Sequence, residues 1–485
     1  MFYMNEWLGM KTLQSVTPTP EQMKLMVLPR PGTKIVRGAA GSGKTTTSIL
    51  MMKLSIGWLI DYFAQNNNEG SINIRVFTFN KTLSAYISDL VAEESVLPIG
   101  IREKLNVRVT TLSKYMYQHL GQRPTIWNAK AQASHIQRLG FAASIPLEAQ
   151  FLADEVEYLL GRLSDSDLES YIDMERTGRG TKPRVDKQLR RQILDHVVYP
   201  YIKLKKEVDA LDWNDLALIF ANEKFEDIHI AIVDEAQDFS ANQLKAITNQ
   251  LADVNFTTIV LDSNQRIYKR GFTWREAGVD TRDTTYARLE LNYRNTIEIA
   301  EFASRLIENA SIAIDDDGTL PKLEAITRRG DKPIVVEGRF RAQMNYVLDY
   351  LQKHVDLENE SVGFLHAKGG GWFDEIRSRL HQASFDFVEI TAESHWPPAE
   401  TNIALSTIHS AKGLEFDHVF IIGLEDRHFS FATPDNEDAD YSTAIKLLSM
   451  AITRAKQNVI IGYNQSSMPS FLEHLDADTY ELVNL

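Results

Sequence analysis

A glycine-rich octet, Gly38-Ala39-Ala40-Gly41-Ser42-Gly43-Lys44-Thr45, is followed by Thr46. It fits the pattern G-x-x-x-x-G-K-[ST] at every fixed position. Glycines at this spacing let backbone N–H groups turn inward around phosphate oxygens. Lys44 then neutralises β- and γ-phosphates, and the Thr45 hydroxyl holds Mg²⁺. A following helix adds partial positive charge at its N-terminus. The second stretch is Ile230-Ala231-Ile232-Val233-Asp234-Glu235. Four apolar residues predict a buried strand, with Asp234 emerging at its carboxyl end, where ligands bind in open parallel sheets. There Asp234 reaches the metal and Glu235 orients or deprotonates an attacking water. Taken together, the two stretches describe a site for a nucleoside triphosphate and Mg²⁺.

Such a site needs strands to aim it. Lys34–Arg37, Ile74–Phe79, Val107–Leu112, Ile228–Asp234 and Thr257–Asp262 are apolar nearly throughout, as strands covered on both faces are. A second set follows at Pro333–Gly338, Ser361–Leu365, Ile403–Thr407, His418–Gly423 and Asn458–Tyr463. Strands alternating with helical segments predict two tandem α/β domains with parallel sheets. Between about 113 and 225 the strand signal gives way to helical periodicity, which predicts a helical insertion in the first domain. The apolar run Ser48–Phe63 contains Lys53 and Asp61, and reads as a buried helix rather than a membrane span.

Composition sets outer bounds. A chain of 485 residues exceeds one core, which stops growing near roughly 250–300 residues. Cysteine is absent, so disulfides, zinc ribbons and thiolate-held iron–sulfur clusters are excluded. Met1–Val16 lack a basic start followed by an apolar run, which predicts no secretory leader and a cytoplasmic protein. The net charge of −14 argues against nucleic-acid binding by the whole surface, so a local patch is required.

The run Asp234-Glu235-Ala236-Gln237-Asp238 is more specific than a generic acidic strand end. It resembles the superfamily 1 DNA helicases of the UvrD/Rep/PcrA type, and further motifs follow in that family's order. The resemblance implies two RecA-like P-loop domains, here 1–285 and 286–485, with ATP between them. It implies that Gln22 reads the adenine edge, that Gln265 senses the γ-phosphate and that Arg294, in Asn292-Tyr293-Arg294, reaches it. In Thr407-Ile408-His409-Ser410-Ala411-Lys412-Gly413-Leu414-Glu415-Phe416, the resemblance implies that Glu415 binds the ribose and that Gly413 lies near the phosphates. Arg454, in Thr453-Arg454-Ala455-Lys456, matches the arginine finger. Phe79-Asn80-Lys81, Thr111 and His409 fall where the family contacts nucleic acid.

After Gln265, aromatic and basic residues interleave from Arg266 to Arg275. Bases stack on aromatic faces without needing a particular sequence, which makes Tyr268, Phe272 and Trp274 candidates. A basic run in the helical insertion, Arg176, Arg179, Lys182, Arg184, Lys187, Arg190 and Arg191, is a candidate for the local patch. The spacing of about 113 residues from Arg294 to Thr407 leaves little room for the bulky extra subdomain of large helicases. Before Arg454 the chain reads Ile445-Lys446-Leu447-Leu448-Ser449-Met450-Ala451, where the family has acidic and arginine residues and a tyrosine. About 31 residues follow Arg454, too few for a folded nuclease domain. The resemblance implies a translocase or helicase moving 3′ to 5′ on single-stranded or partly duplex DNA, with a role in DNA repair or phage defence. The alternative is a DNA-sensing ATPase switch that controls a partner such as a nuclease, as in reduced helicase-like subunits of anti-phage systems such as Gabija. An RNA-dependent ATPase is a more distant possibility.

Overall fold

Residues 20–26, 29–38, 42–78, 104–121, 124–176, 183–261, 273–282, 284–289, 294–310, 326, 328–367, 370–390, 401–426 and 438–485 are described by a computed structural model. Its first sheet uses β1 (Gly32–Gly38), β2 (Ile72–Thr78), β3 (Leu105–Thr111), β6 (Ile228–Val233), β7 (Leu251–Leu261) and β8 (Thr285–Leu289). Their order is β3-β2-β6-β7-β1-β8, and every pairing is parallel. Two short strands of the helical insertion, β4 (Thr125–Trp127) and β5 (Ala210–Asp212), pair only with each other. The central strands are buried, as their β-branched runs require. Arg75 of β2 is the exception in type, and its buried guanidinium is held by Glu226 at 2.6 and 2.9 Å.

The second sheet comprises β9 (Ile334–Glu337), β10 (Val362–His366), β11 (Val388–Ile390), β12 (Ile403–Thr407), β13 (Phe416–Leu424), β14 (Ala455–Tyr463) and β15 (Glu481–Asn484). Its order is β11-β12-β10-β13-β14-β9-β15, again parallel throughout. All ten strands expected from the sequence are present. Among the described residues five further strands, β4, β5, β8, β11 and β15, are short. Between Arg294 and β12 the described chain holds strands of this sheet and the helices that connect them, chiefly Ile297–Asn309, Phe340–His354 and Asp374–Gln382.

The helix Lys44–Gln65 buries Ile49, Met52, Ile56, Leu59 and Phe63, a stripe at intervals of three and four. That spacing lays one face on the first sheet. Among the described residues, no helix is long and apolar enough to cross a membrane. One apolar cluster runs from this helix and β2 through Phe302 and Leu306 into β13 and β14, so the two sheets share a continuous core.

Helices Ala129–Ala142, Ala149–Leu160, Lys187–Ile193 and Tyr199–Glu207 form the insertion around a separate core centred on Tyr171, Val197 and Tyr201. Leu194–Val198 is a π-helical turn just before Pro200. Proline has no N–H to donate and crowds the carbonyl four residues back. A widened turn accommodates that defect without ending the helix.

Candidate functional site

The phosphate loop leaves β1 and closes on the helix Lys44–Gln65. Gly43 caps that helix at φ +73°, where an L side chain is strained. A Cβ there would also collide with the Gln22 amide. Gln22 is buried and donates to the Gly43 carbonyl at 3.2 Å, so it braces the loop backbone. The Lys44 ammonium donates to the Gly38 carbonyl at 2.8 Å, bridging the mouth of the loop. Ser42 is buried, Thr46 is half-buried, and Ala39, Ala40 and Gly41 lie outside the described residues.

Opposite, β6 delivers the carboxylates. The Asp234 amide donates to the Phe77 carbonyl at 2.9 Å, which pins the strand end to β2. The chain then turns sharply, with Glu235 at φ +53°, a left-handed conformation costing a non-glycine residue about 1–3 kcal/mol. A capping box built by Ser240 and Gln243 starts the next helix and fixes the far end of the turn. The Thr45 hydroxyl donates to Asp234 Oδ2 at 2.8 Å. The two residues expected to hold Mg²⁺ therefore face one another across the loop. No group of three or more His, Asp or Glu side chains suited to a metal occurs among the described residues. A hydroxyl and one carboxylate fit Mg²⁺, which takes its other ligands from phosphates and water.

Burial and the neighbouring Glu235 push the Asp234 carboxyl up to about 6. Glu235 is also pushed up by burial, yet Lys412, Lys44 and Arg454 outweigh this and hold it below its ordinary value. Of these three cations, Lys412 and Arg454 belong to the second sheet's half of the chain.

Lys412 sits on the turn between β12 and β13, and its ammonium donates to Asp238 and lies 3.4 Å from Glu235 Oε2. Arg454, at the start of β14, donates to the carbonyls of Met450 at 3.1 Å and Leu414 at 3.3 Å. Backbone carbonyls therefore hold Arg454, on a segment where the sequence departs from the family pattern. Arg294 pairs with Glu415, and Lys456 lies 4.0 Å from the same carboxylate. Burial raises the Glu415 pKa, but Arg294 and Lys456 dominate and lower it. Asn295 donates to the Thr453 carbonyl at 3.1 Å, tying the Arg294 segment to the Arg454 segment. Gly413 has φ +84°, which lets the turn carrying Lys412 double back into β13.

Several expected residues converge: Gln22, Lys44, Thr45, Asp234, Glu235 and Arg454. Gln265 lies outside the described residues, as do Phe79, Asn80, Lys81, Tyr268 and Phe272. Thr111 caps the helix Leu112–His119, accepting from the Lys114 amide at 3.3 Å. Trp274 is half-buried against the core of the first sheet. His409 is exposed, while the surrounding protein and the Lys412 charge lower its pKa.

Four of the described residues of the basic run, Arg176, Lys187, Arg190 and Arg191, are engaged within the insertion. Arg176 is buried against Glu155 at 2.8 Å, and Arg190 donates to backbone carbonyls, Met174 among them at 2.7 Å. Arg191 pairs with Glu169 at 2.6 Å, and Lys187 pairs with Asp173. Acidic residues distant in sequence fold back onto the run and neutralise it. Arg184 remains exposed, and Arg179 and Lys182 lie outside the described residues.

Sequence reasoning passed over Lys412, Asp238 and Asn295 as site residues. A signal existed for the first two: each is a charge set among small or apolar motif residues. A buried charge demands a partner.

A model of the UvrD/REP helicase N-terminal domain matches residues 19–287. A model of the UvrD-like helicase C-terminal domain matches residues 373–466. A probable DNA helicase of Mycoplasma pneumoniae is 28% identical over 241 residues, covering 48% of this chain and 43% of that protein. DNA helicase IV of Escherichia coli is 23% identical over 497 residues, covering 91% of this chain and 67% of that protein. The ATP-dependent DNA helicase PcrA of Staphylococcus epidermidis is 32% identical over 103 residues, covering 19% of this chain and 14% of that protein. The chain thus spans less than half of the first of these relatives and about two thirds of the second.

Proposed function

The chain belongs to the UvrD/REP helicase family, and on that premise we propose that it is an ATP hydrolase that moves along single-stranded DNA. The observation that carries this is the junction of the two sheets. Lys412 of the second sheet reaches across to within 3.4 Å of Glu235 Oε2 and pairs with Asp238, while the Lys44 and Arg454 charges also lower the Glu235 pKa. A carboxylate acted on by cations from two bodies suits chemistry that needs both bodies together.

Lys44 and the loop amides bind the β- and γ-phosphates. Thr45 and Asp234 would hold Mg²⁺, which when bound neutralises phosphate charge. Glu235 orients the attacking water and takes its proton. Arg454 and Arg294 approach the transferring phosphoryl group from the second sheet, while Gln265 completes the γ-phosphate shell. Gln22 sits close enough to the loop to report on the base, and Glu415 on the ribose. Strand contacts fall to Thr111, Trp274 and His409, with Phe79, Asn80, Lys81, Tyr268 and Phe272. The two bodies divide near residue 285, and their relative movement carries the strand 3′ to 5′.

Steady-state ATP turnover with and without single-stranded oligonucleotides tests the enzyme assignment. Stimulation by DNA is expected, and Lys44→Ala should abolish turnover. Intact turnover in that variant would place the active site elsewhere. Matched RNA oligonucleotides should stimulate less.

A second function, a DNA-sensing switch that controls a protein partner such as a nuclease, is favoured by one feature. The described chain between Arg294 and β12 is spent on the sheet and its connecting helices. Little is left over to build a separate strand-splitting subdomain. A purified chain that displaces strands processively on its own would count against this reading.

A further inference from the structure

The helical insertion meets the first sheet beside the turn that carries Glu235. Its helix Ala149–Leu160 ends at Gly161, which is buried against Ser240. The last carbonyls of a helix need donors from outside it. Asn242 supplies them. Its amide donates to the Gly161 carbonyl at 2.9 Å, and its side chain to the carbonyls of Leu160 at 3.0 Å and Leu163 at 3.4 Å. Asn242 is itself buried, in the first turn of the helix Ala241–Thr248. A Cβ on Gly161 would lie 2.9 Å from the Ser240 Cβ, so glycine is what lets the two elements approach this closely. Beside this contact Arg162 reaches Glu276 at 2.9 and 3.1 Å. The insertion is therefore docked here at two points.

The helix start that receives the insertion also closes the turn begun at Glu235. The Asp238 amide donates to the Glu235 carbonyl at 2.9 Å, and the Phe239 amide to the Ala236 carbonyl at 3.2 Å. The Ser240 amide then donates to Gln243 Oε1 at 2.8 Å. Glu235 holds φ +53°, a left-handed conformation that persists only where its surroundings impose it. On one side those surroundings are β2 and β6. On the other they are this helix start and, through Asn242, the insertion.

We propose that Asn242 is a positioning residue for Glu235, through which the insertion braces the turn that carries the water-activating carboxylate. This rests on the assignment of Glu235 to that role. The insertion is then part of the hydrolytic machinery and not an appendage of the first sheet.

The test measures kcat and KM for ATP of the full chain, with and without a single-stranded oligonucleotide. The variants are Asn242→Ala, Gly161→Ala, Gly161→Ala with Ser240→Gly, and Glu235→Gln. Asn242→Ala removes the side-chain donors, and Gly161→Ala drives a methyl into Ser240. Each should lower kcat roughly tenfold or more, toward the cost of about 10²-fold for a misplacement of about 1 Å. The KM for ATP should not change, because the phosphate loop keeps its binding. A general loosening of the site would raise KM as kcat falls. Adding Ser240→Gly removes the collision, and glycine is nearly as good at a helix N-cap, so the double variant should regain most of the lost kcat. Where Asn242→Ala does not fold, the two Gly161 variants decide. Retained turnover in Glu235→Gln overturns the assignment of Glu235 and the brace with it. Abolished turnover there overturns the brace alone if kcat is unchanged in the other variants, if KM rises as kcat falls, or if the double variant recovers nothing.

Discussion

Arg454 is held by main-chain carbonyls, and its charge helps to lower the Glu235 pKa. A lysine there keeps the charge and loses the planar fork. Arg454→Lys should leave the KM for ATP nearly unchanged and lower kcat by about 10³-fold, the low end for a missing arginine finger. Unchanged kcat would remove Arg454 from the chemistry. His418 makes a prediction of another kind. It is buried in β13, 3.3 Å from Glu360, and burial lowers its pKa despite that carboxylate. A group with a lowered folded pKa takes up its proton more readily when unfolded. The contribution of His418 is therefore full above its ordinary value of 6.5 and is lost as pH falls below it. The Tm of wild type should fall from about pH 7 to about pH 5. His418→Gln should flatten that slope, and an identical slope would exclude His418 as a source. The residues of the phosphate site were legible in the sequence because each motif is local. Lys44 and Thr45 are adjacent, and Asp234 ends a strand whose apolar run announces it. Lys412 and Asp238 were not legible as a pair, since 174 positions separate them and only the fold joins them.

Elements hold these residues through their ends. The helix Trp213–Asn222 begins at Asp212, whose side chain accepts from the Asn214 and Asp215 amides. The same carboxylate binds Tyr201 at 2.8 Å and Lys205 at 2.7 Å, both from the insertion. Asp212 thus both caps a helix of the first sheet and anchors the insertion. Asp212→Ala should cost about 3 kcal/mol or more, because a buried ion pair loses a partner. Ser240→Ala removes a cap alone and should cost about 1 kcal/mol. Equal losses in chemical denaturation would mean that Asp212 does no more than cap. The central strands were readable because burial on both faces leaves an unbroken apolar run. Two of the edge strands were not: β8 reads Thr-Tyr-Ala-Arg-Leu and β15 reads Glu-Leu-Val-Asn. An edge strand has one covered side and few residues, so composition hardly marks it. The basic run from Arg176 to Arg191 shows the opposite case for the four residues whose partners are described. It was conspicuous in sequence, but Glu155, Glu169 and Asp173 reach it in space.

At the scale of the whole molecule, two parallel sheets share one apolar core and meet at a ring of charge. Arg294, Glu415 and Lys456 satisfy one another on one side of that ring. Lys412, Asp238 and Glu235 do so across it. A motor requires two arrangements of such an interface, before and after a triphosphate enters. The most direct test follows the chain along a strand. Oligonucleotides of increasing length carry a fluorophore at one end, and arrival at that end is timed after ATP is added. A motor predicts a delay that grows linearly with length, a signal only when the label is at the 5′ end, and no signal with Lys44→Ala. A delay independent of length, in a preparation that hydrolyses ATP on DNA, would contradict movement and leave the switch as the function.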